Sequence, residues 1–387
     1  MSQAAVKNEE YMAKDANFNI GRAELLKSLS HVQSVVEKRG TIPILSNVKI
    51  DIIEGFIELT ATDMEIAVID RVPADVMAIG SLTLPAHTLY DIVRKLSDDV
   101  DVSFAEDKAA GKVNIKAGSS KFSLATLPVD EFPSIGSSGL PHNFSISKED
   151  CRNLIEKTRF AMSSEETRYY LNGVYLHEAE SEGSPVLRAV ATDGHRLSRV
   201  EVALPSGAAG ISGVIIPRKT IGEIVKLLED APNEVQISVS DSKIRFVFGD
   251  TVLSSKLIDG NFPDYNRVIP AGNDLTLEIG TVSLAKAVDR VAVVSSEKVR
   301  GVKLNMENNL VTISTPNNDQ NQGEEKIEAN YSSEPVAIGF NSRYLLDVLQ
   351  QIEGQTARFM FNSSGGATLI ADPSDESAVY VIMPMRV

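Results

Sequence analysis

Three stretches of this chain repeat one order of apolar and polar positions. Each opens on a short strand and an amphipathic helix. These are Asn17-Phe18-Asn19-Ile20 before Gly21 to Lys38, Asn143-Phe144-Ser145-Ile146 before Lys148 to Phe160, and Leu277-Glu278-Ile279 before Ser283 to Val294. Leu25, Leu29, Val32 and Val36 stand at i, i+4, i+7 and i+11, one apolar helix face, and Leu284, Val288 and Val291 repeat the pattern. Mid-repeat, a strand ends in Ala61-Thr62-Asp63 and in Ala191-Thr192-Asp193; the third copy has Ile313-Ser314-Thr315 there. A second strand and helix follow: Leu82-Thr83-Leu84-Pro85, Val214-Ile215-Ile216-Pro217 and Ala337-Ile338-Gly339-Phe340-Asn341. Proline suits a first helical turn, where an N–H is not needed. The second helices share the spacing i, i+3, i+4, i+7 in Leu89/Ile92/Val93/Leu96, Ile221/Ile224/Val225/Leu228 and Leu345/Val348/Leu349/Ile352.

Each repeat closes on alternating strands, and the breakers Gly136 to Pro141 and Pro270 to Asn273 separate the copies. The expected fold class is α+β, three tandem domains at 16–136, 143–270 and 272–387 behind a flexible extension at 1–15, with helices on one face of each sheet. Such units leave a sheet edge at either end of the chain, a liability unless something pairs with it. The repeats by themselves fit two arrangements: an open arc with edges blunted by charge, or two chains joined head to tail in a closed ring.

Charge changes the picture. Lys and Arg number 38 against 53 Asp and Glu, a net charge of −15, which argues against broad, tight binding of nucleic acid through phosphate contacts. A DNA-facing role requires the cations to be segregated on one surface. The single cysteine, Cys151, excludes an intrachain disulfide and suits a reducing cytosol. No apolar run reaches the roughly 18 residues of a membrane span, so a cytoplasmic protein with no membrane partner is expected. Asp193, His195 and Ser198 invite a hydrolase reading. Asp193 belongs to the repeated Ala-Thr-Asp, however, and no nucleophile signature, phosphate loop or metal-ligand spacing accompanies it. A non-catalytic scaffold without metal or cofactor fits better; a monomeric peptide-binding scaffold and an enzyme remain the rival classes.

Five motifs stand in order on the threefold repeat: Arg168-Tyr169-Tyr170-Leu171-Asn172-Gly173, Thr192-Asp193-Gly194-His195-Arg196-Leu197, Asn261-Phe262-Pro263-Asp264-Tyr265 with Arg267-Val268, Glu297-Lys298-Val299-Arg300-Gly301, and Met383-Pro384-Met385-Arg386. Together they resemble the beta subunit of bacterial DNA polymerase III, the replicative sliding clamp, from about Phe18 onward. The resemblance implies the DNA-clamp (processivity) fold in a homodimeric ring of six similar domains, helices lining the inside and sheets outside. Such a ring encircles duplex DNA without reading sequence and tethers the polymerase III catalytic subunit. It is loaded by a separate clamp loader, and it receives other polymerases, mismatch-repair proteins and ligase through linear clamp-binding peptides.

The resemblance carries the peptide pocket onto Leu171, Thr192, Gly194, Arg196, Leu197, Pro263, Arg267, Val268, Val381, Met383, Pro384, Met385 and Arg386, with His195 at its rim. Leu, Val and Pro suit an apolar floor, the methionines can adapt to several ligands, and Arg196 and Arg267 suit peptide carbonyls or a carboxylate. It carries the dimer interface onto Phe122 and Leu124 at one end and Val293 and Val294 at the other, with a pairing edge near Glu297 to Val302. DNA-facing candidates are Arg39, Arg94, Arg168, Tyr169, Tyr170, Arg218 and Lys219, with the first-helix cations Arg22, Lys27, Lys157, Lys286 and Arg290 beside them. Contacts from these side chains would be to phosphate and therefore independent of sequence.

Overall fold

A computed structural model describes residues 15–37, 41–133, 139–295, 300–315 and 321–386. Each repeat contributes two α-helices: α1 (Arg22–Val32) and α2 (Ala86–Lys95), α3 (Lys148–Arg159) and α4 (Arg218–Asp230), α5 (Thr281–Ala292) and α6 (Ser342–Leu349). The apolar spacing read from the sequence becomes the buried face: Leu25, Leu29 and Val32 of α1, Leu89 and Val93 of α2, and Leu284, Val288 and Val291 of α5 are inaccessible or nearly so. Burying each such side chain contributes about 1.5–3 kcal/mol. α1 ends at Val32, earlier than its apolar period suggests. Val36 is buried all the same, because two tight turns (Val35 N–H to Val32 O, Val36 N–H to Gln33 O) carry it back under the helix.

The chain forms two compact units, Met1–Lys148 with Gly222–Leu257 and Glu149–Ile221 with Ile258–Val387. In the first, a five-stranded sheet has the order Asp75–Ala78, Asn17–Gly21, Asp101–Asp107, Lys112–Ala117, Ser120–Ala125. An eight-stranded sheet joins two repeats in the order His142–Ser147, Glu234–Val239, Lys243–Phe248, Thr251–Lys256, Ile66–Pro73, Phe56–Thr62, Asn47–Ile53, Gly80–Pro85. In the second unit a twelve-stranded sheet runs Val214–Pro217, Gly173–Ser181, Ser184–Thr192, Arg196–Ala203, Asp375–Ile382, Thr368–Asp372, Thr356–Phe361, Leu275–Gly280, Glu324–Asn330, Leu310–Ser314, Gly301–Glu307, Val336–Asn341.

Both internal junctions obey one rule: the fourth strand of a repeat pairs antiparallel with the last strand of the next. Ile66 to Asp70 pair with Ser255 to Thr251, and Arg196 to Val200 pair with Ile382 to Ala378. Continuous ladders of this kind leave no unpaired backbone at the seam. The last strand of the first repeat, Ser120–Ala125, is a sheet edge. The fourth strand of the third, Glu324–Asn330, pairs with Leu310–Ser314 on one side, while on the other only Ala329 and Asn330 are matched, to Ile279 and Glu278, among the described residues. The edge anticipated near Glu297 to Val302 is therefore not an edge where it is described. Gly301 and Val302 pair with Asn341 and Phe340 inside the sheet, and 296–299 lie outside the described residues.

The N-terminus of each first helix ties down the end of the second helix in its own repeat or, in the third, the segment that follows it. Arg22 donates from Nε to Val93 O (3.0 Å) and from Nη2 to Arg94 O (2.9 Å). Lys148 Nζ donates to Glu229 O and Ala231 O (3.1 and 3.0 Å), and Thr281 Oγ1 donates to Gly354 O (3.0 Å). Cations at a helix C-terminus satisfy its orphan carbonyls and oppose its dipole. Arg22 is thus a structural cap, not a free cation for a nucleic-acid surface.

In the first unit, His31 sits between two carboxylates, Nδ1 3.3 Å from Asp70 and Nε2 3.2 Å from Asp230. Thr251 also hydrogen-bonds Asp70, and Lys27 lies 3.6 Å from Asp230. Burial pulls the His31 pKa down, but the two carboxylates together outweigh it and the pKa is raised. A group whose folded pKa is raised contributes stability that is complete below its unfolded value of about 6.5 and is lost as pH rises through the folded value. His31→Gln is therefore expected to cost on the order of 1–3 kcal/mol near pH 6 and progressively less at higher pH. Thermal melts of the wild type and variant across pH test this; a constant offset would show that His31 does not titrate in this role.

Candidate functional site

The site begins at the turn after strand Ser184–Thr192. Asp193 Oδ1 accepts the N–H groups of His195 (2.9 Å) and Arg196 (3.0 Å), while Thr192 Oγ1 donates to Arg196 O (2.7 Å) and accepts from Gly194 N (3.1 Å). Gly194 has φ +87°, a conformation that glycine adopts at the least cost, and a Cβ there would lie 2.6 Å from the movable end of the Arg168 side chain. The same turn recurs in the first repeat, where Met64 takes φ 77° and Thr62 and Asp63 make the matching bonds. Asp193 is thus a turn former, and Ser198 is buried with its hydroxyl donating to Lys157 O, so the hydrolase reading has no geometry behind it.

Beneath the turn, Val190, Leu197, Tyr265 and Val381 form a buried apolar cluster, flanked by half-buried Tyr175, Phe262, Ile269 and Ala367. Tyr175 stacks on Phe262 at 4.8 Å. Leu197 faces Val381 across the inter-repeat ladder, and Leu171 is buried at the end of the 3-10 turn Glu166–Leu171. A polar chain holds Tyr265 from below: Arg188 donates to its hydroxyl oxygen (3.0 Å), the hydroxyl lies 3.0 Å from His177 Nε2, and His177 Nδ1 lies 2.7 Å from Glu178 O. That chain is satisfied with a neutral His177 protonated on Nδ1. Burial, the largest influence, and the Arg188 charge push its pKa down despite the Glu178 carbonyl. With Tyr265 anchored, the short turn Tyr265–Arg267 presents Arg267 and Val268 to solvent beside exposed Pro263.

The chain end is tied to this surface by two backbone bonds, Met383 N–H to His195 O (2.8 Å) and Met385 N–H to Gly339 O (2.9 Å). Met383 and Arg386 are exposed, Pro384 and Met385 half-buried. The turn at Thr192 to Leu197, the buried cluster of Leu197, Tyr265 and Val381, and the chain end at Met383 are thereby joined in one region of the second unit.

Arg196 departs from its expected part. It is buried, with Nε on Asp193, Nη1 on Asp347 and Nη2 on Phe160 O, and its guanidinium lies 4.4 Å over the Tyr344 ring. It locks the turn to the third repeat and at the same time lines a polar cleft. That cleft, of about 540 Å³, is also lined by Glu165, His195, Arg218, Arg343 and Tyr344 among others, with His195 stacked on Tyr344 at 6.2 Å. Sequence reasoning missed Tyr344, Asp347 and Phe160, which no motif marks, and left Phe262 and Tyr265 out of the pocket although both lie inside a quoted motif.

Of the DNA-facing candidates, Arg39 lies outside the described residues. Arg94 is exposed and pairs with Asp91 (3.1 Å). Arg168 pairs with Glu165 (2.7 Å), beside exposed Tyr169 and half-buried Tyr170. Arg218 and Lys219 are exposed at the start of α4, Arg218 donating to the carbonyls of Met162 and Ser163. Lys157, by contrast, is buried between Asp375 (2.9 Å) and Glu353 (3.3 Å), so it is not a surface cation. At the chain's two ends Phe122 and Leu124 are half-buried, Val293 is 80% exposed and Val294 half-buried. Cys151 is buried and its thiol pushed up to about 12, which leaves it inert.

Three copies of a domain with paired helices and edge-joined antiparallel sheets define the architecture of a DNA clamp. The family models for the DNA polymerase III beta subunit match in succession: N-terminal domain at 16–136, central domain at 145–264, C-terminal domain at 266–386. The chain belongs to the DNA polymerase III beta subunit family, the bacterial sliding clamps. The beta sliding clamp of Caulobacter vibrioides is 50% identical over 368 residues, 95% of this chain and 99% of that one. That of Escherichia coli is 37% identical over 370 residues, again 95% and 99%. Among solved structures, a Caulobacter crescentus beta sliding clamp superposes with TM-score 0.92 at 48% identity, covering 97% of this chain and 100% of that one. A sliding clamp from Bartonella birtlesii, bound to griselimycin, gives 0.92 at 43%, covering 96% and 100%. The function is accordingly that of a processivity clamp in DNA replication, and the chain is a non-catalytic subunit.

Proposed function

We propose that two copies of this chain close into a ring around duplex DNA, and that the groove at Leu197, Tyr265 and Val381 takes linear peptides from the polymerase, the clamp loader and repair proteins. One observation carries the ring. Both internal junctions pair a fourth strand with the last strand of the next repeat, and the strands left over are of those same two kinds, Ser120–Ala125 and Glu324–Asn330. A head-to-tail pair of chains makes the same junction twice and leaves neither edge bare.

The face that each internal junction seals is open here: Leu253, at the place of Phe122 in its hairpin, is fully buried, while Phe122 is not. A groove of about 410 Å³ lined by Thr88, Ile92, Leu96 and Phe122 is of a size to receive Val293 and Val294. The three repeats, 16–136, 143–270 and 272–387, are read as the ring's domains, and Arg39, Arg94, Arg168, Tyr169, Tyr170, Arg218 and Lys219 as its phosphate-facing residues. Among the described residues no helix is long and apolar enough to cross a membrane, and a cytoplasmic site of action follows from a role in replication.

Closure also reconciles the net charge of −15 with DNA work, since a threaded duplex is retained without a large number of phosphate contacts. The test is retention. Loaded on a nicked circle, the protein is expected to co-elute with DNA at moderate salt and to leave when the circle is cut once. Equal retention on circle and linear form would overturn the ring.

A further inference from the structure

Each first helix carries one side chain eleven residues after a buried isoleucine of the opening strand: His31 after Ile20, Lys157 after Ile146 and Arg290 after Ile279. At the two internal junctions this side chain meets an acid at the end of the next repeat's second helix or in the segment that follows it. His31 Nε2 lies 3.2 Å from Asp230, the last residue of α4, and Lys157 Nζ lies 3.3 Å from Glu353, just past α6. Both cationic side chains are only 10% exposed. Lys27, one turn before His31, lies 3.6 Å from the same Asp230.

Among the described residues, no such acid is paired at the third position. Arg290 is 58% exposed and pairs with Glu325 of its own fourth strand (2.9 Å, Nε to Oε2), as His31 pairs with Asp70 of its own. Lys286, at the place of Lys27, is exposed one turn earlier. In the first repeat the counterpart of Asp230, two residues past Leu96 as Asp230 is two past Leu228, is Asp98. Its side chain is 88% exposed and held toward the helix end by Arg22 at 2.9 Å.

We propose that Lys286 and Arg290 receive Asp98 of a second copy of this chain, completing at the inter-chain seam the charge contact that both internal seams contain. The inference rests on the ring proposed above and names a polar device within its interface. Arg290, with its planar fork, bridges Glu325 and the incoming carboxylate at once. Lys286 closes the other side, as Lys27 does at Asp230. Because the contact lies at the rim of the seam, it acts on assembly in a salt-dependent way.

The test is a charge swap read by the dimer dissociation constant in sedimentation or in dilution of labelled protein. Arg290→Asp and Asp98→Arg are each expected to raise the constant about 10- to 100-fold at low salt. The double variant is expected to return to within about 5-fold of wild type, the non-additivity expected of a direct pair. Because Asp98→Arg also frees Arg22, melting curves of each single variant report any loss of the fold separately. Single variants with unchanged constants, or a double variant whose loss is the sum of the two, would overturn the pair while leaving the ring in place. A wild-type chain that is monomeric at all concentrations would overturn the ring itself.

Discussion

Leu124→Asp is expected to convert the proposed dimer into monomers at micromolar protein, raising the dissociation constant by at least ~10³-fold. Leu124 and Phe122 lie on the strand Ser120–Ala125, at a sheet edge, with their side chains half-buried on a face that the matching internal strand buries completely. Association would remove that remaining apolar surface from water. A carboxylate in its place forfeits about 1.5–3 kcal/mol of leucine burial and adds the cost of a desolvated, unpaired charge. Val293→Asp tests the same seam from the other side. At 80% exposure it contributes nothing to the core of its own repeat, so the variant is expected to keep the wild-type melting temperature while losing the dimer. A sedimentation profile unchanged by both substitutions would place the inter-chain contact elsewhere.

Removing Met383 to Val387 is expected to lower the affinity for a linear clamp-binding peptide by about 100-fold or more while leaving the dimer constant as it was. The truncation takes away two backbone anchors, Met383 to His195 and Met385 to Gly339, and the exposed Met383 side chain beside the apolar floor. It leaves Val381 and Ile382, which pair with Leu197 and Arg196 and hold the inter-repeat ladder together. The loss is therefore expected at the groove and not in the fold. Fluorescence anisotropy with a labelled peptide reads the affinity. Binding that survives the truncation would move the peptide site away from the chain end.

The fold was legible wherever a local period reports burial. The second helices show this most clearly. Leu345, Val348 and Leu349 are spaced by one helical turn, and that spacing alone turns them to one side, where the structure buries them. The Thr192-Asp193 turn was legible for a similar reason, since short polar side chains bond to backbone two or three residues on and carry their geometry within the sequence. The apolar floor was only partly legible: Leu197 and Val381 lie far apart in the chain and meet because two strands of different repeats share a ladder.

The charged residues were the least legible. Arg22, Lys157 and Arg196 look alike in sequence, as basic residues at the ends of helices or strands. One caps a neighbouring helix, one is buried between Asp375 and Glu353, and one ties a turn to Asp347 and Phe160 O. A cation's role depends on which carboxylate or carbonyl lies within about 4 Å, and those partners come from remote segments.

By itself, then, the sequence determined three copies of one α+β unit, the faces of their helices, the glycine turn at the groove and the family to which the motifs point. These are properties of spacing and of local backbone preference. Only the tertiary structure decided which strand of one repeat pairs with which of the next, which edges remain unmatched among the described residues, at Ser120–Ala125 and along Glu324–Asn330 before Ala329, and which cations are free. Strand pairing across repeats is fixed by the register of long-range backbone hydrogen bonds, and a hydrophobic period constrains the face of a strand but not its neighbour.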